Sequence, residues 1–238
     1  MKKVIRRALA LMLVLGLTLS LQAPAMAADD KMDNPYISIM APAYHSTYYI
    51  GETISYQFSI RNPFASYLCK PFVQILTATA NPTTVKAAQG INMAIGSSAR
   101  PTGTFTTSDL RAGDYFFVAI GMPISPTTGA EVSGQQQTAG YLFYIKDLKA
   151  PTSLKATVGK KKVTLTYKKA AGAQRYYIYR STKKNSGYSC IGKTTALKYV
   201  DKTAKTGKRY YYKVRCMRTK YGKVKSPLSK PVRCAKVK

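Results

Sequence analysis

The chain has 238 residues, with 38 Lys and Arg against 9 Asp and Glu, a net charge of +29 and one histidine. Its four cysteines form no CxxC pair, so no four-ligand zinc site, and no other metal or cofactor, is expected. Nothing reads as a nucleophile elbow, a phosphate loop or a metalloprotease helix, and no enzymatic activity is expected.

Residues 1–27 read as a secretory signal. Lys2, Lys3, Arg6 and Arg7 give a positive start, residues 8–21 are an uncharged, mostly apolar run, and Ala25-Met26-Ala27 is a small-x-small cleavage site. The alternative, an uncleaved membrane anchor, needs about 20 apolar residues, and this run is shorter. A mature chain beginning at Ala28 is expected outside the cell, without a transmembrane span and without covalent wall attachment. Export makes disulfides permissible.

Residues 28–148 carry seven bases and eight acids. Ile54, Tyr56, Phe58 and Ile60 alternate with Ser55, Gln57, Ser59 and Arg61, the period of a half-buried strand. Residues 72–76, 104–107, 115–120 and 141–145 are further apolar or β-branched runs. Turn signals such as Asn81-Pro82 and Gly96-Ser97-Ser98 separate them. Cys69 stands alone in this half and is expected to be buried. His45, in a polar stretch, reads as an exposed loop residue and not as a catalytic base.

A boundary is expected near Asp147-Leu148-Lys149-Ala150-Pro151. Beyond it, residues 149–238 hold 27 bases and one acid, Asp201. Val163, Leu165 and Tyr167 alternate with Thr164 and Thr166. Tyr176 and Ile178 alternate with Tyr177 and Tyr179. Tyr210, Tyr212, Val214 and Cys216 alternate with Tyr211, Lys213, Arg215 and Met217. Nearly all bases fall on the phase opposite the apolar set, so the charge belongs to outer faces and loops and a core remains possible. Lys160-Lys161-Lys162 and Lys183-Lys184-Asn185 sit at expected turns. No stretch shows a 3.6-residue stripe. The fold class is all-β, with two tandem β-sandwiches over 28–148 and 149–238.

Residues 150–238 resemble a fibronectin type III domain of the lysine-rich kind found in secreted proteins of Gram-positive bacteria. The carriers are Pro151-Thr-Ser-Leu154-Lys-Ala156, Val163-Thr-Leu165-Thr-Tyr167, Tyr176-Tyr-Ile178-Tyr-Arg-Ser-Thr182, Gly207-Lys-Arg-Tyr210-Tyr-Tyr212-Lys-Val214-Arg-Cys216 and Ser229-Lys-Pro231-Val232. The family usually has Trp where Tyr167 stands and often Leu where Ala204 stands. The resemblance implies that Tyr210 bonds back to the corner before the sixth strand. More weakly, residues 34–148 resemble immunoglobulin-like domains of bacterial surface proteins. Tyr49-Ile-Gly51-Glu-Thr-Ile-Ser-Tyr56 looks like the entry to a second strand. Gly103-Thr-Phe105 with Leu110-Arg-Ala-Gly113-Asp-Tyr115 looks like the corner before a sixth.

In a fibronectin-like sandwich the third, sixth and seventh strands share a sheet. Its solvent side would then carry the candidate ligand-binding residues Tyr177, Tyr179, Tyr211, Lys213, Arg215 and Arg233. Tyrosines interleaved with guanidinium and ammonium groups suit a sulfated, phosphorylated or carboxylated polymer. The plainer alternative is an ordinary exposed face whose Tyr and Lys pack across strands. In that register Cys216 and Cys234 share the inward phase of adjacent strands, as a disulfide or as two buried thiols. Cys190 is out of phase with Ile191, which should point inward.

The expectation is a secreted, non-enzymatic surface-binding or adhesion protein whose basic domain meets an anionic cell-wall polymer or glycan, such as teichoic acid. No recognition helix or aromatic RNP strand appears, so sequence-specific nucleic-acid binding is not expected. Two rivals stand beside it: a structural spacer in an extracellular assembly, and an adhesin for host anionic glycans. The near-neutral first half would face a partner its residues do not name.

Overall fold

The computed structural model describes residues 31–32, 34–78 and 83–238; the expected leader lies outside them. They form strands and no helix. The described residues divide into two compact units, one formed by those up to Tyr48 and between 53 and 146, the other by 49–52 and 147–238.

The first unit contains β1 (Lys31–Met32), β2 (Ile37–Ala41), β3 (Thr47–Tyr49), β4 (Thr53–Arg61), β5 (Leu68–Thr77), β6 (Thr84–Gln89), β7 (Ser98–Ala99), β8 (Thr102–Thr106), β9 (Gly113–Ile124) and β10 (Gln137–Lys146). One sheet runs β1-β10-β9-β5-β6, with β3 also on β10; the other runs β2-β4-β7, with β8 also on β4. The ladders of β1-β10-β9-β5-β6 and those of β2, β7 and β8 with β4 are antiparallel. This is an immunoglobulin-like sandwich. The alternation along β4 is what buries Ile54, Phe58 and Ile60. Tyr56 reaches across to Phe117 of the facing sheet, ring centroids 5.8 Å apart. Tyr115 Oη donates to the Arg111 carbonyl (2.9 Å), so the Leu110–Tyr115 stretch does form a tyrosine-tied corner. Phe116, Val118 and Ile120, on the other phase of β9, join Leu76 and Leu142 in a second cluster. β9 is therefore apolar on both phases, as a central strand buried on both faces requires.

The second unit contains β11 (Lys155–Gly159), β12 (Lys162–Thr166), β13 (Arg175–Ser181), β14 (Ser189–Thr194), β15 (Lys198–Asp201), β16 (Tyr211–Arg218), β17 (Val224–Lys225) and β18 (Val232–Arg233). Three strands, β11-β12-β15, face β14-β13-β16-β17, and β18 also pairs with β16. This strand order is that of a fibronectin type III sandwich. The core holds Val163, Leu165, Tyr176, Ile178, Tyr212 and Val214 among others. Burying each of the larger side chains is worth about 1.5–3 kcal/mol.

The two departures from the family pattern find local solutions. Tyr167 packs on Tyr176 with ring centroids 4.9 Å apart, and its hydroxyl donates to the Ala196 carbonyl at 3.0 Å. Ala204 is buried. Tyr210 is buried beside the corner at Gly207 (φ 79°), and its hydroxyl accepts from the Lys205 amide at 3.4 Å. The Lys160-Lys161 and Lys183-Lys184-Asn185 stretches lie between strands.

The disulfide expectation for Cys216 and Cys234 is corrected. Both are buried and both are free thiols. Both lie on the inward phase, as expected, but they are not in register with each other. Cys216 lies opposite Ser226, whose amide donates to its carbonyl, while Cys234 lies opposite Tyr210. Along β16 those two stations are six residues apart, about 20 Å at the rise of a strand. A disulfide needs Cα atoms within about 7 Å. Cys216 Sγ contacts the Lys149 carbonyl (3.4 Å), and Cys234 Sγ accepts from the Tyr210 amide (3.4 Å).

Candidate functional site: the β13–β16–β18 face

Three adjacent strands bring the six sequence-named residues onto one face. The register sets Tyr177 opposite Arg215, Tyr179 opposite Lys213, and Tyr211 opposite Arg233. On the other side of β13, Tyr177 lies opposite Lys193 and Tyr179 opposite Cys190. Each cross-strand row thus joins an aromatic ring to a base. Tyr177, Tyr179, Tyr211, Lys213 and Arg215 are half-buried and Arg233 is exposed. This is the outward phase, since Tyr176, Ile178, Tyr212 and Val214 between them are in the core.

The rows are knitted diagonally as well. The Arg215 guanidinium sits 5.8 Å from the Tyr179 ring. The Lys213 ammonium sits 4.4 Å from the ring of Tyr188. Such cation–π contacts contribute about 0.5–1 kcal/mol at exposed sites and hold the charges in place. Arg215 Nε is buried without a hydrogen-bond acceptor among the described residues.

Tyr188 was not foreseen. It follows the Lys183-Lys184 turn, outside any alternating run. Its hydroxyl donates to the Lys184 carbonyl (2.6 Å), which folds the ring back toward β16. Burial raises its pKa, with nearby Tyr211 adding to the effect.

No carboxylate of residues 149–238 offsets this face, because Asp201 is turned inward and is 1% exposed. Its Oδ2 accepts from Arg180 Nη1 (2.9 Å) and Tyr212 Oη (2.8 Å). Its Oδ1 accepts from the Thr203 amide (2.9 Å) and hydroxyl (2.8 Å). Burial pushes the carboxyl pKa up, but the bonds from Thr203, Tyr212 and Arg180 outweigh it and the net shift is downward. Glu52, which belongs to this unit, is likewise fully buried and paired with Arg218 Nε at 2.6 Å. Arg180 also lies over the Tyr210 ring at 4.7 Å.

The other sequence-named positions lie elsewhere. His45 is exposed in a turn, stacked on Tyr44 with centroids 3.9 Å apart. Cys69 is fully buried, its pKa pushed by burial up to about 11. Cys190 is exposed, while Ile191 is half-buried and packs against the core. A bulge between Ile178 and Tyr179 lets both hold on one short strand. Among the described residues no group of three or more His, Cys, Asp or Glu is placed to hold a metal ion, and no helix is long and apolar enough to cross a membrane.

No protein-family profile and no curated protein matches the chain. Solved structures do. An Fn3-like protein from Clostridium thermocellum shares 30% identity over 37% of this chain and 93% of its own, with a TM-score of 0.34. The fibronectin(III)-like modules of CbhA from the same organism share 15% identity over 85% of this chain and 94% of theirs, with a TM-score of 0.30. A two-domain fibronectin type III segment of chicken tenascin shares 9% over 87% and 99%, with a TM-score of 0.36. By its strand order and pairing, the segment 150–238 has a fibronectin type III fold.

Proposed function

We propose that the protein is a secreted, non-enzymatic surface-binding protein whose second unit holds an anionic cell-wall polymer on the β13–β16–β18 face. The observation that carries this reading is the set of aromatic–base rows on that face, with the one acid of 149–238 drawn into the interior. Charge alone would attract any polyanion; flat rings between fixed cations add a surface for sugar faces between phosphate or carboxylate groups. Residues 149–238 carry a net +26, far more than solubility asks for. Self-repulsion at that density is relieved by a bound polyanion.

The test is binding of the mature chain to purified cell walls, with and without teichoic acid, over a salt series. Binding should fall steeply between about 50 and 200 mM salt, as for other charge-driven polymer contacts. It should also fall when teichoic acid is extracted. A flat salt response, or binding indifferent to extraction, refutes the reading. Replacing Tyr177, Tyr179 and Tyr211 together by Ala should weaken binding about tenfold or more, equivalent to about 1.4 kcal/mol. An unchanged affinity would leave only charge.

A further inference from the structure

The outer face of the β2-β4-β7 sheet carries a cleft, in the unit whose charges nearly balance. We infer that it binds a carboxylated sugar. The cleft, about 540 Å³, is lined by Tyr36, Ser38, Ser59, Arg61, Ser98 and Arg100, with Pro35 and the backbone of its strands. The register explains why these side chains meet. Ser38 lies opposite Ser59, and Arg61 opposite Ser98. Ile60 and its partner Ala99 occupy the other phase, and Ile60 is in the core. Arg61, Ser98 and Arg100 therefore project outward from neighbouring strands. Tyr36, 41% exposed, stands at the mouth, where its carbonyl accepts from the Arg61 amide at 3.0 Å.

The chemistry of the lining is selective. Lys70 and Lys86 of this unit are paired with Glu131 and Asp109. No carboxylate among the described residues pairs with Arg61 or Arg100, and both are exposed. Two guanidinium forks beside one cleft, with no carboxylate partner among the described residues, match a planar carboxylate, which each binds through parallel N–H donors. Three serine hydroxyls give and accept hydrogen bonds, as sugar hydroxyls do in return. The Tyr36 ring supplies an apolar wall for the C–H side of a pyranose. A bare anion would use only the arginines; a neutral sugar would leave them idle. An acidic sugar uses the whole lining.

The experiment is a residue-resolved NMR titration of the full mature chain with sodium D-glucuronate, D-glucose and sodium acetate. A monomeric probe carries a single charge, so it reports this cleft without the strong polymer attraction of the basic unit. Glucuronate should shift the amides of Ser38, Ser59, Arg61, Ser98 and Arg100 together. Glucose should not, and acetate should leave Ser38 and Ser59 unmoved. The Arg61→Gln/Arg100→Gln variant should lose the glucuronate shifts, its remaining spectrum showing an intact fold. An Arg215→Gln variant should keep them, which separates this site from the face of the second unit. Acetate or glucose reproducing the glucuronate pattern, or shifts confined to residues 149–238, would overturn the inference.

Discussion

Asp201 accepts four hydrogen bonds while almost wholly excluded from solvent. Replacing it by Ala leaves Arg180 without its carboxylate and strands the fully buried Tyr212 hydroxyl. Urea denaturation should show a loss of about 3–5 kcal/mol in the second unit, the cost of breaking a buried pair on one side. The pH dependence has a definite sign. The folded carboxyl titrates below its ordinary range. Its stabilisation is therefore complete above about pH 4 and drains away as pH falls through the folded value. The melting temperature of the native chain should drop below about pH 4, and that drop should shrink in Asp201→Asn. None of this was legible from the sequence. An acid beside a turn reads as solvated, and Arg180 and Tyr212 lie 21 and 11 residues away on other strands.

At the scale of the strand, what is local in sequence was readable and what is relational was not. Period-two alternation marked β4, β12, β13 and β16, because one buried face imposes it along each strand. It also placed Tyr177, Tyr179, Tyr211, Lys213 and Arg215 on the outward phase. Short β14 and β15 gave no comparable signal; β14 is bulged, and Ile191 and Cys190 do not alternate cleanly. Register escaped altogether, as Cys216 and Cys234 show, since the spacing of two strands across a loop is fixed by pairing and not by either strand's pattern. β14 depends on a tight contact at Gly192, where a Cβ would run into the Tyr199 ring. The Tyr199 hydroxyl donates to the Ile191 carbonyl at 2.9 Å. Gly192→Ala should displace that ring and cost about 1–3 kcal/mol, the range for overpacking. Amide hydrogen exchange should speed up in β14 and β15 while β11 stays protected.

Across the whole molecule, charge is distributed by unit. Residues 28–148 nearly balance, and residues 149–238 hold the excess. The repulsion within the second unit is a fixed load on its folded state, so any polyanion that binds only the folded form lightens it. Adding inorganic polyphosphate at low ionic strength should raise the melting temperature of the second unit by several degrees and leave the first unit's unchanged. Added salt alone should reproduce part of the gain by screening. Equal shifts in both units would point to a general solvent effect.

The cysteines divide in the same uneven way. Cys69, Cys216 and Cys234 are sealed in the interior, and Cys190 alone is exposed, across the ladder from Tyr179. Native thiol chemistry therefore has one address on the unaltered chain, at the rim of the aromatic–base rows. A polarity-sensitive maleimide dye added without denaturant should attach there once per molecule. Its emission then becomes a built-in gauge of whether the neighbouring rings are wet or covered, with no engineered residue to perturb them.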